Sequence, residues 1–324
     1  MQAMPNRPKE GSDPLRPHLK RVVDALADES LVPFLGSAAN LCSREAGGSW
    51  LPDQQRSLPL GGELARYLAE SFDLAADAPP DLARISEQVV LTRGSGPLYS
   101  KLRSLLDADY PVTSLHSYFA GLPERLRARR HPKRHFLLVT TNYDDLLERA
   151  FADADEPYHS VIYSAEGAHR GKFLHRPPGG QPQFIQQPNK YQGLMADQIP
   201  VILKLHGTVD RETRVRDSFV VTETHYIDYL TRTDISSLLP VPLPAILEQS
   251  SLLFLGYSLR DWNLRVILHR IWSERTLSWK SWAVLSKPDE LECKFWERRD
   301  IEVIDHDVCS YIAALDDRTR ELLP

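Results

Sequence analysis

The sequence predicts an α/β fold, in which a doubly wound parallel sheet carries helices on both faces. Its main signal is a set of short apolar runs that stop abruptly at small or polar residues, namely Leu31–Asn40, Phe136–Asp144, Val201–Gly207 and Ser251–Asp261. Runs of this kind are typical of buried parallel strands, and the helical patterns between them indicate alternating strands and helices. Ligands bind at the carboxyl edge of such sheets. We therefore expect one site, suited to a nucleotide, where the four runs end.

The composition indicates a soluble, cytoplasmic protein without a metal centre. The chain has 324 residues, of which 42% are hydrophobic and 26% are charged, and its net charge is −5. This balance argues against direct binding to nucleic acid or to an anionic membrane, and no apolar stretch approaches the ~20 residues of a membrane span. The three cysteines, Cys42, Cys293 and Cys309, fit a reducing cytoplasm and cannot form a four-cysteine zinc site.

The first half of the chain predicts a helix, a strand and then a run of helices. We expect residues 1–13 to form a disordered lead-in and 14–324 to form one domain. A helix over 14–30 precedes the strand 32–36. Further helical patterns with few strand signals follow, which we interpret as a helical insertion over about 61–122; they cover 61–72, 81–91, 97–107 and 113–122.

The second half returns to alternating elements. Glycine and proline make 164–199 a predicted loop. Strands are predicted at 136–142, 200–206, 218–222, 251–256, 282–286 and 301–305, and the main helices at 143–152, 223–232, 261–275 and 308–322. The basic run 125–134 is interpreted as a solvated helix end, with a contact to phosphate or to a partner as the alternative.

The first strand ends in a candidate phosphate-binding turn, Gly36-Ser37-Ala38-Ala39-Asn40. Small residues at this position let backbone N–H groups approach a pyrophosphate. The match to G-x-G-x-x-G is poor, because only the first residue is a glycine. A tight structural turn would explain the segment equally well.

Two later strand ends carry candidate reactive side chains. Asn142 follows the second run, and its uncharged amide could hold a sugar hydroxyl or a water in the crevice. Asp144 could cap the next helix instead of binding a ligand. His206 ends the third run and could act as a neutral general base, although a lone histidine is more often structural.

The fourth run ends in a second candidate phosphate contact. Gly256 and Ser258 stand where small residues can approach a phosphate, and Asp261 could either cap the following helix or bind a ribose hydroxyl.

Taken in order, these motifs resemble the prokaryotic sirtuin-like (silent-information-regulator-two-like) domains. The matching segments are Val32–Gly36, Thr141–Asp144, Lys204–Gly207 and Gly256–Asp261, and Thr222–Tyr229 resembles the segment that follows the family's histidine. The resemblance implies a Rossmann-like fold that binds NAD and attacks its nicotinamide N-glycosidic bond. It makes Asn142 and His206 the catalytic pair. It assigns NAD binding to Gly36, Ser37, Asn40, Asp144, Gly256, Ser258 and Asp261.

Two departures from the family pattern affect the expected activity. Ala38 stands where a second glycine is usual, which is unfavourable if the backbone there must have positive φ. The zinc module of protein-deacylating sirtuins is missing, because no cysteine lies between His206 and Cys293. Both departures favour a regulated NAD glycohydrolase over a deacylase.

Many domains of this kind hydrolyse NAD during antiphage defence, often together with a phage-sensing partner. The resemblance therefore implies that this chain depletes NAD when activated, either as a homo-oligomer or in a complex with a separately encoded sensor, nuclease or ATPase. Two alternatives stay open. One is a zinc-independent, NAD-dependent deacylase that uses the same residues. The other is a non-catalytic sensor of NAD or ADP-ribose.

Overall fold

The structure, a computed structural model, describes the chain in eight stretches. They are residues 15–44, 48–54, 56–75, 80–128, 136–194, 198–231, 238–257 and 279–323. The predicted lead-in 1–13 and the predicted helix 261–275 lie outside the described residues, as do Ser258 and Asp261.

A mostly parallel sheet forms the centre of the described fold. Its nine strands stand in the order β11-β10-β9-β1-β2-β6-β3-β4-β5. The seven from β11 to β3 are parallel, and β4 and β5 are antiparallel at one edge. The bounds are β1 Leu31–Leu35, β2 Leu137–Thr140, β3 His159–Tyr163, β4 Phe173–Arg176, β5 Gln183–Phe184, β6 Val201–Lys204, β9 Ser251–Leu255, β10 Ser281–Leu285 and β11 Ile301–Asp305. A separate small sheet pairs β7 Gly207–Thr208 with β8 Ser218–Phe219.

Helices flank the central sheet, and this confirms the predicted α/β, Rossmann-like class. The described α-helices are α1 Leu15–Ala27, α2 Gly61–Ser71, α3 Leu82–Arg93, α4 Ser95–Leu106, α5 Ser114–Ala128, α6 Leu146–Asp153, α7 Glu223–Thr231, α8 Leu243–Glu248, α9 Glu290–Glu297 and α10 Val308–Leu322. Several of them begin at a side chain that caps the first turn. Asp307, for example, caps α10 by accepting hydrogen bonds from the backbone N–H groups of Cys309 and Ser310.

Two apolar cores cover the two faces of the sheet. Alternate residues of β1 serve different cores: Val32 and Phe34 pack on one side, whereas Leu31 and Leu35 pack on the other, with α1, α5 and α10. Side chains alternate between the faces of a strand, so a strand buried on both faces must be apolar throughout. This explains why the strand runs are continuous in the sequence.

The helices between β1 and β2 divide into two groups. Helices α2, α3 and α4 bury their apolar residues in a third core, to which Leu146, Val209, Phe219 and Val221 also contribute. Helix α5 instead packs against the sheet together with α1 and α10. Whether residues 61–122 form a separate helical insertion stays a prediction. The last helix predicted for that insertion corresponds to α5, which packs on the sheet.

The predicted loop 164–199 was wrong in part, because it contains β4 and β5. Strand β3, which was not predicted, supplies their partner: Ser160 to Tyr163 pair with Arg176 to Phe173 in antiparallel register. The glycines and prolines around these strands indicated a loop. The segments are strands because they pair with a distant part of the chain, and local sequence does not reveal such a tertiary contact. The predicted strand 218–222 is shorter, and only β8 remains of it.

A disulfide joins Cys42 to Cys309, with 5.2 Å between their Cα atoms. It connects the 3-10 helix Ser37–Ser43, which follows β1, to the first turn of α10. Cys293 is free. The spacing of the cysteines did not predict this bond, because the two residues are 267 positions apart. Disulfides are rare in a reducing cytoplasm, so this bond argues against the compartment that the cysteine content suggested, and a cytoplasmic location stays a prediction.

Within the ranges given above, no helix combines the length and the apolar character that a bilayer crossing requires.

Candidate functional site

The chain reverses its direction of travel across the sheet at β1. Strand β1 is flanked by β2 on one side and by β9 on the other. The strands β2 to β6 extend the sheet on the first side, and β9, β10 and β11, which come later in the chain, extend it on the other. A crevice opens at such a switch point, outside the carboxyl ends of the strands. The residues that follow β1 and β9 are Gly36 and Gly256, two of the predicted phosphate contacts. The predicted site thus falls at the switch point of the sheet.

Gly36 and Gly256 allow the two strand ends to touch. The N–H of Gly36 donates to the carbonyl of Leu255 at 2.9 Å, and the N–H of Ala38 donates to the carbonyl of Gly256 at 3.0 Å. A Cβ at position 36 would lie 2.6 Å from the carbonyl oxygen of Gly256. At position 256, where φ is +76°, it would lie 2.4 Å from the N of Ala39. Both glycines are therefore required for this close approach.

The turn after β1 consists of Gly36 and the 3-10 helix Ser37–Ser43, and we call it the nucleotide turn. Ser37 and Ala38 are partly exposed in it, whereas Asn40 is buried. Ala38 is not among the described residues with positive φ, so its methyl group causes no backbone strain. The unfavourable effect that the sequence suggested for this alanine depended on positive φ, and that condition is not met.

Asn40 and Asp144 are buried against each other. The Nδ2 of Asn40 donates to Oδ2 of Asp144 at 3.0 Å, and Oδ1 of Asp144 accepts the backbone N–H of Leu146 at 3.1 Å. Asp144 thus holds both the nucleotide turn and the start of α6, in agreement with its alternative interpretation as a helix-capping residue.

Asn142 reaches across to the nucleotide turn. Its backbone N–H donates to Thr140 Oγ1 at 3.0 Å, and its Nδ2 donates to the carbonyl of Gly36 at 3.1 Å. The amide orientation is thereby defined, and Oδ1 is left as an acceptor. An acceptor at this point suits a ribose hydroxyl or a water molecule.

His206 is a buried, neutral imidazole. It is 1% exposed, and the rings of Tyr226 and Tyr229 stand edge-on to it, with centroids at 5.7 and 6.0 Å. Burial lowers the pKa of His206 to about 3. Its Nε2 has no hydrogen-bond partner among the described residues, although buried polar atoms normally have one. The atom therefore keeps its hydrogen-bonding capacity, but it is not exposed at the protein surface.

Strand register places Asn142 and His206 at the same level. Thr140 of β2 pairs with Lys204 of β6. Asn142 comes two positions after Thr140, and His206 comes two positions after Lys204. Adjacent strands lie about 4.8 Å apart. The backbones that carry the two side chains are therefore neighbours at the carboxyl edge, beside the contact between Gly36 and Gly256.

Sequence reasoning missed two residues that build this site. The hydroxyl of Tyr257 is buried, donates to the carbonyl of Leu35 at 3.1 Å and accepts from Thr141 Oγ1 at 3.3 Å, so it joins the ends of β1, β2 and β9. Lys204 is the other, and its contacts are described below. Both lie inside the matching segments Gly256–Asp261 and Lys204–Gly207, which is the signal that could have identified them.

The described part of the basic run forms ion pairs. Arg125 pairs with Asp316 at 3.3 Å, and Arg127 pairs with the buried carboxylate of Glu156, so these two arginines take part in structural ion pairs. Residues 129–134 lie outside the described part. Across the described residues, no group of three or more His, Cys, Asp or Glu side chains is placed to hold a metal ion.

Comparison with protein families gives one match. The family model of the SIR2-like domain matches residues 137–304, slightly more than half of the chain. The matched part runs from β2 into β11 and contains Asn142, His206 and Gly256. No match to a curated protein was found.

Proposed function

Because the chain belongs to the SIR2-like domain family, whose domain is compatible with an NAD-using enzyme, we propose that it hydrolyses NAD to nicotinamide and ADP-ribose. One observation carries the proposal. Asn142 and His206 stand level on the adjacent strands β2 and β6, beside the switch point where Gly36 and Gly256 meet. This arrangement supports a role for Asn142 as the hydrogen-bond acceptor for a sugar hydroxyl and for His206 as a neutral base, at the crevice in which this fold class binds nucleotides.

In this proposal the nucleotide lies across the ends of β1 and β9. Gly36 and Ser37 on one side, and Gly256 and Ser258 on the other, contact the pyrophosphate, and Asp261 binds a ribose hydroxyl. Asn40 and Asp144 shape the pocket through the hydrogen bond between them. Ser37 and Ala38 are partly exposed, as are Leu41, Cys42 and Ser43, so a ligand could contact the nucleotide turn.

The reaction needs a hydrogen-bond acceptor beside the ribose and a base that takes a proton from the attacking water. A water oxygen forms a bond to C1′ of the nicotinamide ribose, the C1′–N bond breaks, and its electron pair leaves with neutral nicotinamide. Oδ1 of Asn142 orients the water or a ribose hydroxyl, and His206 accepts the proton that the water loses. The low pKa of His206 keeps its imidazole neutral, and the negative pyrophosphate would raise its basicity once the nucleotide is bound.

The decisive experiment measures NAD consumption by the protein expressed with its genomic neighbours. We expect Asn142→Ala and His206→Ala each to lower the rate of nicotinamide release by about 10²-fold or more. A variant that releases nicotinamide at the wild-type rate would remove that residue from the mechanism. If NAD is consumed only when an acylated peptide is present, the protein is a deacylase. Binding without turnover in every assembly identifies a sensor.

The proposal extends to antiphage defence, on the basis of the resemblance. We propose that the protein acts in the cytoplasm and depletes NAD after assembly, either as a homo-oligomer or with a separately encoded sensor, nuclease or ATPase. Cells that carry the locus should lose NAD after phage infection, and cells that carry the Asn142→Ala form should not. Copurification with the products of neighbouring genes, followed by measurement of the molar mass, identifies the assembly.

A further inference from the structure

Lys204 is a buried cation between the two strands that carry the proposed catalytic side chains. It is the last residue of β6 and is 1% exposed. Its ammonium group donates to the main-chain carbonyl of Asp144 and lies 3.0 Å from Oε1 of Glu148. Asp144 follows Asn142 by two positions, and Lys204 precedes His206 by two. One side chain therefore ties the turn of Asn142 to the strand end of His206.

The same contacts continue into the nucleotide turn. The carboxylate of Asp144 accepts hydrogen bonds from Asn40 at 3.0 Å and from the N–H of Leu146 at 3.1 Å. Lys204, Asp144 and Asn40 thus connect three of the four motif segments through buried polar groups. Asn40 Oδ1 and Glu148 Oε2 have no hydrogen-bond partner among the described residues, so the network is not fully satisfied and holds the three segments through the bonds named here.

Stability alone does not account for a lysine at this position. Its ammonium lies at the start of α6, where the helix dipole favours an anion rather than a cation. A buried ion pair is also often no more stable than apolar side chains of the same volume. The neighbouring residue on the same face of β6 is the apolar Ile202, so an apolar side chain would suit this layer.

We propose that Lys204 is a positioning residue, which sets the spacing between Asn142 and His206 by bonding β6 to the β2–α6 turn. In this role it contacts neither NAD nor the reacting atoms. The inference rests on the proposed function. It adds to the proposed mechanism a residue that acts through Asn142 and His206.

The test variant is Lys204→Met, which keeps the length and the apolar stem but removes the ammonium. We expect kcat to fall about 10²-fold, because a misplacement of about 1 Å has an effect of this size. We expect KM to change less than about threefold, since KM follows affinity when chemistry is slow. The nucleotide turn keeps its own bonds to β9 through Gly36 and Ala38, at 2.9 and 3.0 Å.

A matched control is Arg127→Met. It removes another ion pair with a buried carboxylate, Glu156, which precedes the start of β3 and therefore lies at the opposite edge of the sheet from the site. This variant should lower the free energy of unfolding and leave kcat unchanged.

A double variant separates positioning from a merely structural role. Lys204→Met leaves the largely buried Glu148 without its cation, whereas Lys204→Met/Glu148→Leu removes that unpaired carboxylate as well. The double variant should regain stability, but its kcat should stay low, because the bond to Asp144 is still missing. Recovery of kcat together with stability would overturn the proposal, and so would a wild-type kcat in Lys204→Met.

Crystal structures of the wild type and of Lys204→Met provide a measurement that does not depend on turnover. The distance between the Asn142 and His206 side chains should change by roughly 1 Å, and an unchanged distance would overturn the positioning role. If the wild type consumes no NAD in any assembly, the proposed function fails. This distance would still decide whether Lys204 sets the geometry of the pair.

Discussion

The contact between the ends of β1 and β9 can be tested through Gly256→Ala. Gly256 has φ of +76°, and a Cβ there would lie 2.4 Å from the N of Ala39 and 2.9 Å from the carbonyl carbon of Ala38. The left-handed conformation costs about 1–2 kcal/mol for a residue with a Cβ. The backbone movement needed to relieve the clash costs about 1–3 kcal/mol more. We expect the free energy of unfolding to fall by roughly 2–5 kcal/mol in total.

Two other glycines separate these contributions. Gly167 has φ of +71° with no atom within 4 Å of its added Cβ, so Gly167→Ala measures the backbone cost alone. Gly36 has an extended backbone with φ of −104°, and its Cβ would lie 2.6 Å from the oxygen of Gly256. Gly36→Ala therefore measures the clash alone. Denaturant unfolding gives the stability of each variant, and titration calorimetry gives its affinity for NAD.

The expected pattern is specific to a strand contact at the site. Gly36→Ala and Gly256→Ala should both lose NAD affinity, because each displaces the nucleotide turn, and Gly167→Ala should bind NAD like the wild type. Gly256→Ala should also be the least stable of the three. If it is as stable as Gly167→Ala, or if it binds NAD normally, then the contact between the two strand ends does not hold the site.

Three further predictions concern titration and the disulfide. Burial lowers the pKa of His206 to about 3, so its imidazole stays neutral above pH 5. The pH profile of kcat/KM should therefore show no ionisation near pH 6.5 that is lost in His206→Ala. Such an ionisation would contradict the burial of His206. Burial also lowers the pKa of His116 to about 4. The folded state therefore binds fewer protons than the unfolded state between pH 6.5 and 4. When the pH is lowered from 7.5 to 5, the free energy of unfolding measured in urea should fall by about 2 kcal/mol for each of His116 and His206. A free energy of unfolding that does not change over this range would be inconsistent with their burial. Finally, the bond between Cys42 and Cys309 closes a separation of 267 residues, so reduction, or Cys42→Ser, should lower the free energy of unfolding by roughly 3–5 kcal/mol. The control Cys293→Ser should have no effect of this size, and an unchanged midpoint after reduction would show that the disulfide does not constrain the protein.

Local sequence patterns predicted the parts of the fold that depend on local rules. The central parallel strands β1, β2, β6 and β9 are buried on both faces, so each appears as an almost continuous apolar run. Strands β1, β9, β10 and β11 lie within one residue of the predicted bounds. The parallel strand β3 was missed, because it begins with His159 and Ser160 and does not appear as an apolar run. Strands β4 and β5 were missed because they are short and stand among glycines and prolines. They exist through pairing with β3, which is a tertiary contact that periodicity does not contain.

The candidate site divides in the same way. The sequence indicated which residue types stand at the strand ends, because small and polar residues interrupt apolar runs. It did not indicate that Asn40 and Asp144, 104 positions apart, bond to each other, nor that Lys204 lies beneath them. These contacts depend on the order of the strands in the sheet, and that order is a property of the whole fold.

The bond from Asn142 to Gly36 links nucleotide binding to the proposed chemistry. The Nδ2 of Asn142 donates to the carbonyl of the first residue of the nucleotide turn, so a displacement of that turn by a ligand also moves the amide whose Oδ1 would face the ribose. A group that must be in place only in the transition state contributes to the rate rather than to affinity. Asn142→Asp tests this coupling, because it keeps the acceptor oxygen but loses the donor. We expect Asn142→Asp to bind NAD more weakly as well as to turn it over slowly, since a carboxylate would face the Gly36 carbonyl without a hydrogen to share. Unchanged affinity, measured by titration calorimetry beside Asn142→Ala, would show that the bond to Gly36 does not connect binding to catalysis.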